Sequence, residues 1–250
     1  MNDPSDPSSD LSIVIPFFNE EESVRPVLGE VLGLYPHAEI IAVDDGSSDG
    51  TAEILESLAG VRALRMRNNQ GQSAAILAGL LRAGRPLCGL LDGDGQNDPA
   101  DLLHLARHLR QTGCDVVCGF REKRRDSRSR RVASRAANRI RRAFVHDTVR
   151  DTGCSVKVFR REAVACLIPF NGMHRFLPSF FQSAGLRIEE LPVNHRPRRF
   201  GTSKYTNWDR ALRGLYDLVG VRWYLKRRVD PNATAASTTR HSGARPPSEP

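Results

Sequence analysis

Short apolar runs alternate along the first half of the chain with longer stretches in which apolar residues recur at helical spacing. The runs are five or six residues long and rich in β-branched side chains, which is typical of buried strands. They predict strands at 11–15, 39–43, 61–66, 87–91 and 115–119. The stretches between them predict a helix capped by Asn19 and helices at 52–58, 73–83 and 98–110. Such alternation indicates an α/β fold, in which helices cover both faces of a parallel sheet.

The pattern is less regular in the second half of the chain. It predicts a strand over 151–160, a helix that starts at Glu162 and an edge strand over 186–192. Between Asn207 and Arg228, apolar and aromatic residues share one helical face, and basic residues flank it. We interpret this pattern as an amphipathic helix that lies in a membrane interface. A helix docked on the domain core is the alternative for the same face.

Polar segments at both ends of the chain set the domain boundaries. Residues 1–10 are acidic and polar, unlike a secretory signal, and residues 229–250 are rich in Pro, Ser, Thr and Ala. Both are predicted to be disordered tails, because neither carries the apolar residues of a core. One α/β domain over 11–206 and the amphipathic helix over 207–228 lie between them. No apolar run reaches the roughly 18 residues of a membrane span, so any membrane contact is expected to be peripheral.

The formal charge of +8 and the isoelectric point near 9.7 come from two basic segments. Residues 121–142 contain eleven Lys and Arg but only two acidic residues. Residues 195–228 contain ten Lys and Arg and two acidic residues. Such segments suit nucleotide phosphates, an anionic membrane surface or nucleic acid. Few aromatic residues interleave with the arginines of the first segment, which argues against nucleic acid because bases stack on aromatic rings. The five cysteines show no framework spacing and predict reduced thiols in a cytosolic protein.

Polar stretches follow the first, second and fourth predicted strands. Because ligands of parallel sheets bind beyond the carboxyl ends of the strands, we expect these stretches to meet at one site. In the third stretch, Asp92 and Asp94 are one residue apart and project to the same side of an extended chain. Such a carboxylate pair, with the Gln96 side chain as a neutral oxygen ligand, suits Mg²⁺ or Mn²⁺. For this segment alone, a solvated Asp-Gly turn is the alternative.

Six segments occur in an order that resembles the family 2 glycosyltransferases of the GT-A fold: IVIPFFNEEE, VDDGSSDGT, NNQGQSAAILAG, LDGDGQNDP, DTGCSVKVF and RPRRFGTSKY. Within that family, residues 11–228 are similar to the polyprenyl-phosphate glycosyltransferases, the group that includes dolichyl-phosphate mannose synthase. The resemblance implies a Rossmann-like, mostly parallel sheet. It also implies an inverting enzyme that moves a hexose from a UDP- or GDP-sugar to a polyprenyl phosphate, with Mg²⁺ or Mn²⁺ as cofactor.

The resemblance also implies roles for individual residues. For donor binding these are Pro16, Phe18, Glu20, Val43, Asp45, Asp92 and Gly93. For the metal they are Asp92, Asp94 and Gln96, and for catalysis Asp94, Arg121, Arg198 and Lys204. For the acceptor phosphate they are Arg121, Arg131 and Arg135, although the register of the last two within the basic segment is open. Two further points stay open. Glu20 could act only at the start of a helix, and either Asp44 or Asp45 could close an Asx turn while the other binds the donor.

The likeness also predicts the surroundings of the enzyme. Many members carry C-terminal membrane spans that this sequence lacks, so we expect a peripheral protein on the cytoplasmic face of the membrane, with a membrane-protein partner in place of the spans. A lipid monophosphate is anionic at neutral pH, so its attack on a sugar needs positioning more than a strong base. Competing hypotheses are a glycosyltransferase with a saccharide hydroxyl acceptor and a non-catalytic module that binds anionic membranes or nucleic acid. The acidic residues Asp45, Asp92 and Asp94 argue against such a module.

Overall fold

The computed structural model describes residues 8–122, 141–142, 144–145, 147–197 and 207–229, with the side chains of the last range described from Gly214. Most of both predicted tails lies outside these residues. Four predicted site residues do so as well: Arg131, Arg135, Arg198 and Lys204.

The described residues form one sheet with helices around it. The strands are β1 (Leu11–Phe17), β2 (Glu39–Asp44), β3 (Val61–Arg65), β4 (Leu87–Leu90), β5 (Val116–Arg121), β6 (Lys157–Arg160) and β7 (Ile188–Val193). The α-helices are α1 (Glu21–Leu34), α2 (Thr51–Ser57), α3 (Gln72–Leu80), α4 (Ala100–Thr112), α5 (Leu177–Ser183) and α6 (Asn207–Arg227). Two 3₁₀ helices, Arg161–Cys166 and Met173–Arg175, lie between β6 and α5.

The strand order is β3-β2-β1-β4-β6-β5-β7, which places β7 at an edge as predicted. β6 is antiparallel to its neighbours β4 and β5, whereas the other strand pairs are parallel. The predicted α/β fold with a mostly parallel, Rossmann-like sheet is thus confirmed. Because β6 runs in the opposite direction, it begins beside the end of β4, and Lys157 lies opposite Leu90. The turn before β6 therefore reaches the carboxyl edge of the parallel strands.

Apolar helix faces cover both sides of the sheet. On one side, Leu28 of α1 and Leu105 of α4 are buried in a core cluster with the strands. On the other side, Ile76 of α3 and Phe181 of α5 belong to a second cluster. Removing each such side chain from water contributes about 1.5–3 kcal/mol. The two layers fix the strand ends, and with them the loops at the carboxyl edge.

The last helix is docked on the domain through one face and exposes apolar residues on the other. Leu218 and Val221 are buried against Met173 and Phe180, which is the docking that the sequence left as an alternative. The opposite face exposes Leu215, Tyr216, Val219 and Trp223, each more than 50 % accessible. Among the described residues, no helix is long and apolar enough to cross a membrane. A membrane role for the exposed face stays a prediction.

Two predictions about the segment around β6 were correct only in part. Only Lys157–Arg160 of the strand predicted at 151–160 pairs with the sheet. The residues before it turn back on themselves, because the Asp151 carbonyl accepts a hydrogen bond from the Cys154 amide at 3.3 Å. The helix predicted from Glu162 is a 3₁₀ helix that ends at Cys166.

The predicted cap of α1 was wrong. Asn19 does not cap the helix, which begins at Glu21. Its Oδ1 instead accepts a hydrogen bond from the Ser48 amide at 2.8 Å, and its own amide donates to Ser47 Oγ at 2.9 Å. The side chain that sequence spacing assigned to α1 therefore joins the loops after β1 and β2.

Candidate active site

Asp92 follows β4 at the carboxyl edge and is held by three neighbours. Its Oδ1 accepts a hydrogen bond from Gln72 Nε2 at 2.8 Å, and its Oδ2 accepts one from Ser155 Oγ. Its amide donates to Asn97 Oδ1 at 2.8 Å. Gln72 is the first residue of α3, and Ser155 lies in the turn before β6, so two separate elements hold the carboxylate, while Asn97 of the same loop holds the Asp92 backbone.

Gly93 is needed for the close approach of this loop to β1. A Cβ atom at this position would lie 2.5 Å from Phe17 Cδ1 and 2.7 Å from the Pro16 carbonyl oxygen. The Gly93 carbonyl accepts a hydrogen bond from Ser23 Oγ of α1 at 2.7 Å. The backbone between the two acids is therefore packed tightly against the first strand and the first helix.

Asp94 and Gln96 form the outer part of the loop. Asp94 Oδ1 accepts a hydrogen bond from the Gln96 amide at 3.1 Å, and the Gln96 carbonyl accepts one from the Arg196 amide at 2.9 Å. The Arg196 guanidinium group binds both carboxylate oxygens of Glu30 at 2.8 Å and Asp98 Oδ1 at 3.0 Å. The segment after β7 is thereby fastened to the loop. Sequence reasoning missed Arg196, because this contact depends on how β7 ends.

The chemistry of this donor set fits a divalent cation. Burial raises the pKa of Asp92, and the neighbouring charge of Asp94 raises it further. Two adjacent carboxylates repel each other, and a hard cation relieves that repulsion. Among the described residues, no group of three or more His, Cys, Asp or Glu side chains surrounds such a position. An ion held by these two acids would keep coordination positions for water and phosphate oxygens.

The open alternative at Asp44 and Asp45 is partly settled by the geometry. Asp44 closes the Asx turn, since its Oδ1 accepts a hydrogen bond from the Ser47 amide at 3.0 Å. Asp45 is buried, and its carboxylate accepts hydrogen bonds from the Asn69 side chain at 3.0 Å and the Gly71 amide at 2.8 Å. Burial raises the pKa of Asp45. Asp45 therefore fixes the loop that leads into α3.

The other predicted donor residues line the ends of β1 and β2. Pro16 and Phe18 are partly accessible, whereas the Val43 side chain is buried in the core, so that only its backbone can meet a ligand. The Glu20 carbonyl accepts hydrogen bonds from amides in the first turn of α1, and the Glu20 amide donates one to Thr51 Oγ1 at 2.9 Å. These contacts place the four residues at one edge and leave their roles in binding as predictions.

Arg121 lies at the end of β5 in a bidentate ion pair. Its Nε is 2.8 Å from Asp151 Oδ2, and its Nη2 is 3.0 Å from Oδ1. Burial works against the charge of Arg121, but the Asp151 carboxylate outweighs it and raises the pKa of Arg121. One edge of the guanidinium group is thus engaged within the protein, and the group stays charged near Asp92.

Two histidines contact elements of this edge. Nδ1 of His174 lies 2.7 Å from Ser73 Oγ, so the 3₁₀ helix before α5 is tied to the first turn of α3. His195 forms an antiparallel bridge with Asn97. Both contacts agree with the structural roles that are common for histidine.

Sequence reasoning missed Gln72, Ser155 and Lys157. Lys157 is 1 % exposed, and its Nζ donates a hydrogen bond to the Cys154 carbonyl oxygen. The one local signal was a lysine within an apolar strand pattern. Gln72 and Ser155 carry no such signal, because their contacts with Asp92 arise only when α3 and the reversed β6 meet at the sheet edge.

Residues 12–168 match the family described as Glycosyl transferase family 2. Dodecaprenyl-phosphate galacturonate synthase of Rhizobium johnstonii is 35% identical over 242 residues, which cover 92% of this chain and 71% of the relative. Undecaprenyl-phosphate 4-deoxy-4-formamido-L-arabinose transferase of Yersinia pestis is 34% identical over 224 residues, which cover 86% and 68%. Both names contain a polyprenyl phosphate and a sugar, so the resemblance to the polyprenyl-phosphate glycosyltransferases is confirmed.

Among solved structures, glucosyl-3-phosphoglycerate synthase from Mycobacterium tuberculosis in complex with Mn²⁺, UDP and glucosyl-3-phosphoglycerate is similar, with a TM-score of 0.68 over 92% of this chain and 88% of that chain. The same synthase in complex with Mg²⁺ and UDP gives 0.67 over 88% and 80%. At 19% and 20% identity, these likenesses concern the fold, and they confirm the GT-A prediction. By its family match and by the two relatives described above, this chain belongs to glycosyl transferase family 2.

Proposed function

We propose that this glycosyltransferase moves a sugar from a UDP- or GDP-sugar to the phosphate of a polyprenyl phosphate, with inversion at the anomeric carbon. The observation that carries the proposal is the carboxylate pair Asp92 and Asp94, which neighbouring elements orient at the carboxyl edge of the sheet. The names of the two relatives support a polyprenyl phosphate acceptor. That the sugar is a hexose stays a prediction from the sequence.

On the donor side, the bond between the sugar and the diphosphate breaks, and negative charge grows on the departing β-phosphate. Asp92 and Asp94, with Gln96 as a further ligand, would hold a Mg²⁺ or Mn²⁺ ion, which would neutralise part of the charge on that group. The chain itself contributes Arg121, whose charge is secured by Asp151. Arg198 and Lys204 remain further candidates for this role, because their basic side chains suit a diphosphate.

On the acceptor side, the phosphate of the lipid attacks the anomeric carbon from the face opposite the leaving diphosphate. Its second pKa is about 6, so it is largely a dianion at neutral pH and needs no strong base. Arginine binds phosphate with paired hydrogen bonds, which makes Arg121, Arg131 and Arg135 the candidates for its capture. Direct displacement from one side inverts the anomeric configuration.

The exposed face of α6 supports a peripheral position on an anionic membrane, and its cytoplasmic side is an expectation from the sequence. Tyr216 is 82 % and Trp223 62 % exposed, and such aromatic side chains partition into membrane interfaces. The Arg227 guanidinium group lies 5.6 Å from the centre of the Trp223 ring, which places a positive charge beside that face. A helix anchored in this way would keep the protein at the membrane surface that carries a lipid-borne phosphate. A membrane-protein partner is a further expectation from the sequence.

A donor screen tests this proposal. Purified protein is incubated with radiolabelled UDP- and GDP-sugars, polyprenyl phosphate and either Mn²⁺, Mg²⁺ or EDTA, and the label in the organic phase is counted. We expect metal-dependent transfer from one donor. Label that moves only to added soluble saccharides would support a hydroxyl acceptor instead. No transfer, together with no thermal stabilisation by UDP or GDP with metal, would support a binding module.

A further inference from the structure

Lys157 is a buried charge next to the proposed donor site. It is the first residue of β6 and lies between Leu90 of β4 and Cys118 of β5. Only 1 % of the residue is exposed. Taking an ammonium group out of water costs several kcal/mol unless nearby polar groups compensate it. A lysine in the middle of a sheet is therefore expected to have a specific partner.

That partner is the turn before β6. Nζ of Lys157 donates a hydrogen bond to the carbonyl oxygen of Cys154, three residues earlier. Among the residues that the structure describes, no carboxylate forms an ion pair with this ammonium group. Burial is the main influence on the pKa of Asp92 and raises it, whereas the charge of Lys157 acts in the opposite sense. The ammonium group is thus close enough to Asp92 to act on it, without binding it directly.

The residue after Cys154 makes the contact with the site. Ser155 Oγ donates its hydrogen bond to Asp92 Oδ2. Because the Cys154 carbonyl belongs to the peptide group that leads into Ser155, fixing that carbonyl also fixes the start of Ser155. A continuous series of contacts therefore runs from the Lys157 ammonium group, through one peptide group, to the first acid of the carboxylate pair.

We propose that Lys157 is a positioning residue of the donor site, which fixes the Cys154–Ser155 turn so that the Ser155 hydroxyl orients Asp92 for the metal and the diphosphate. The inference rests on the proposed donor function. Lys157 acts through Ser155 and does not touch substrate, since its side chain is buried in the sheet. Groups that orient a metal ligand in this way commonly affect metal affinity by about 10–100-fold.

The test measures Mn²⁺ affinity in the presence of UDP or GDP, from the electron paramagnetic resonance signal of free Mn²⁺. The variants are Lys157→Met, Ser155→Ala and the double variant, and Lys226→Met, on the exposed side of α6, is the matched control. We expect both single variants to weaken Mn²⁺ binding by about tenfold or more. The double variant should lose no more Mn²⁺ affinity than the more strongly affected single variant does, because the two residues act in one series. Lys226→Met should bind as the wild type does.

Thermal unfolding of each variant separates this role from general stability. If Lys157→Met does not fold, Ser155→Ala still decides the case, since it removes the contact with Asp92 and leaves the buried charge in place. Mn²⁺ affinity unchanged in Ser155→Ala, or losses in the two single variants that simply add, would overturn the proposal. If the wild-type protein fails to bind Mn²⁺ in the presence of UDP and also in the presence of GDP, the proposed donor function is itself contradicted. The proposed role of Lys157 then falls with it.

Discussion

The Ser155 hydroxyl group hydrogen-bonds to Oδ2 of Asp92, although 63 residues separate the two along the chain. Gln72 binds the other carboxylate oxygen from the start of α3, on the other side of the loop. Asp92 therefore has an orientation that two segments, distant in the sequence, determine together. An acid held in this way is preorganised, so little reorientation is needed when a charged ligand arrives.

Replacing the second acid of the pair tests its role directly. In Asp94→Asn, the carboxylate that faces the predicted cation loses its charge, so we expect kcat/KM for transfer to fall by about a hundredfold or more. Unfolding temperature should change little, because Asp94 is partly exposed. Asp10→Asn, at the opposite end of the sheet, is the control and should retain full transfer. Equal activity in Asp94→Asn and the wild type would remove Asp94 from the site.

Gly93 offers a test of the loop's close packing. Alanine at this position would bring a methyl group within 2.5 Å of the Phe17 ring, so we expect the free energy of unfolding to drop by about 1–3 kcal/mol and transfer to be lost. Gly29→Ala is a matched control on an exposed part of α1, where nothing lies within 4 Å of the added carbon. That variant should gain about 0.5–1 kcal/mol from helix propensity. Chemical denaturation of both variants provides the measurement.

Arg121 is predicted to bind phosphate while Asp151 holds one edge of its guanidinium group. We expect Arg121→Ala to lower kcat/KM for polyprenyl phosphate by about a hundredfold, which corresponds to about 2.7 kcal/mol. Arg121→Lys should recover little, because an ammonium group cannot reproduce the bidentate geometry. Exposed Arg107 of α4 supplies the control variant. Transfer that survives in Arg121→Ala would show that other groups capture the phosphate.

Glu39 provides a pH-dependent test of the opposite edge of the sheet. Hydrogen bonds from Ser12 at 2.6 Å and the Gly84 amide at 2.7 Å outweigh its burial and lower the pKa of Glu39. Because the folded pKa lies below the unfolded one, this stabilisation is present above about pH 4.3 and is lost as the pH falls through the folded pKa. Glu39→Gln should therefore lower the free energy of unfolding by about 1 kcal/mol at pH 7. The difference should shrink below about pH 4, and exposed Glu56→Gln should show no such dependence.

The exposed face of α6 can be tested apart from catalysis. Trp223→Ala should weaken binding to phosphatidylglycerol vesicles about tenfold in a flotation assay, because an interfacial indole ring is lost. Binding of Mn²⁺ and nucleotide in solution should not change, since Trp223 is 62 % exposed and is not one of the predicted donor or metal residues. High salt should weaken vesicle binding of the wild type, as the basic segments predict. If the variant floats as well as the wild type does, the face serves another purpose.

The sequence was sufficient for the fold and for part of the site. The alternation of strands and helices and the acids after β2 and β4 are local patterns, so the parallel sheet and the position of Asp92 could be predicted. The contact of Ser155 could not, because it depends on β6 running against its neighbours, and the contact of Gln72 could not, because it depends on where α3 begins beside the loop after β4. A similar limit applied to α6, where apolar residues on two faces produced one amphipathic pattern, although Leu218 packs inward and Trp223 does not.

Asp44 and Asp45 show the same limit at short range. Their adjacency in the sequence left two assignments open, and only the loop before α3 separates them. Because that loop turns back towards β2, its amides reach the Asp45 carboxylate, while Asp44 closes its own turn. Sequence patterns identify the residue types at the site, whereas the backbone path determines which side chain faces which partner.

The central claim is that a phosphate of a polyprenyl lipid, rather than a hydroxyl group, accepts the sugar. The most direct measurement compares transfer of labelled sugar to polyprenyl phosphate and to the corresponding polyprenol, with wild-type protein and Asp94→Asn. The account predicts labelled lipid only from polyprenyl phosphate with the wild-type protein, with inverted configuration by NMR. Equal labelling of the polyprenol, or labelling by Asp94→Asn at the wild-type rate, would contradict it.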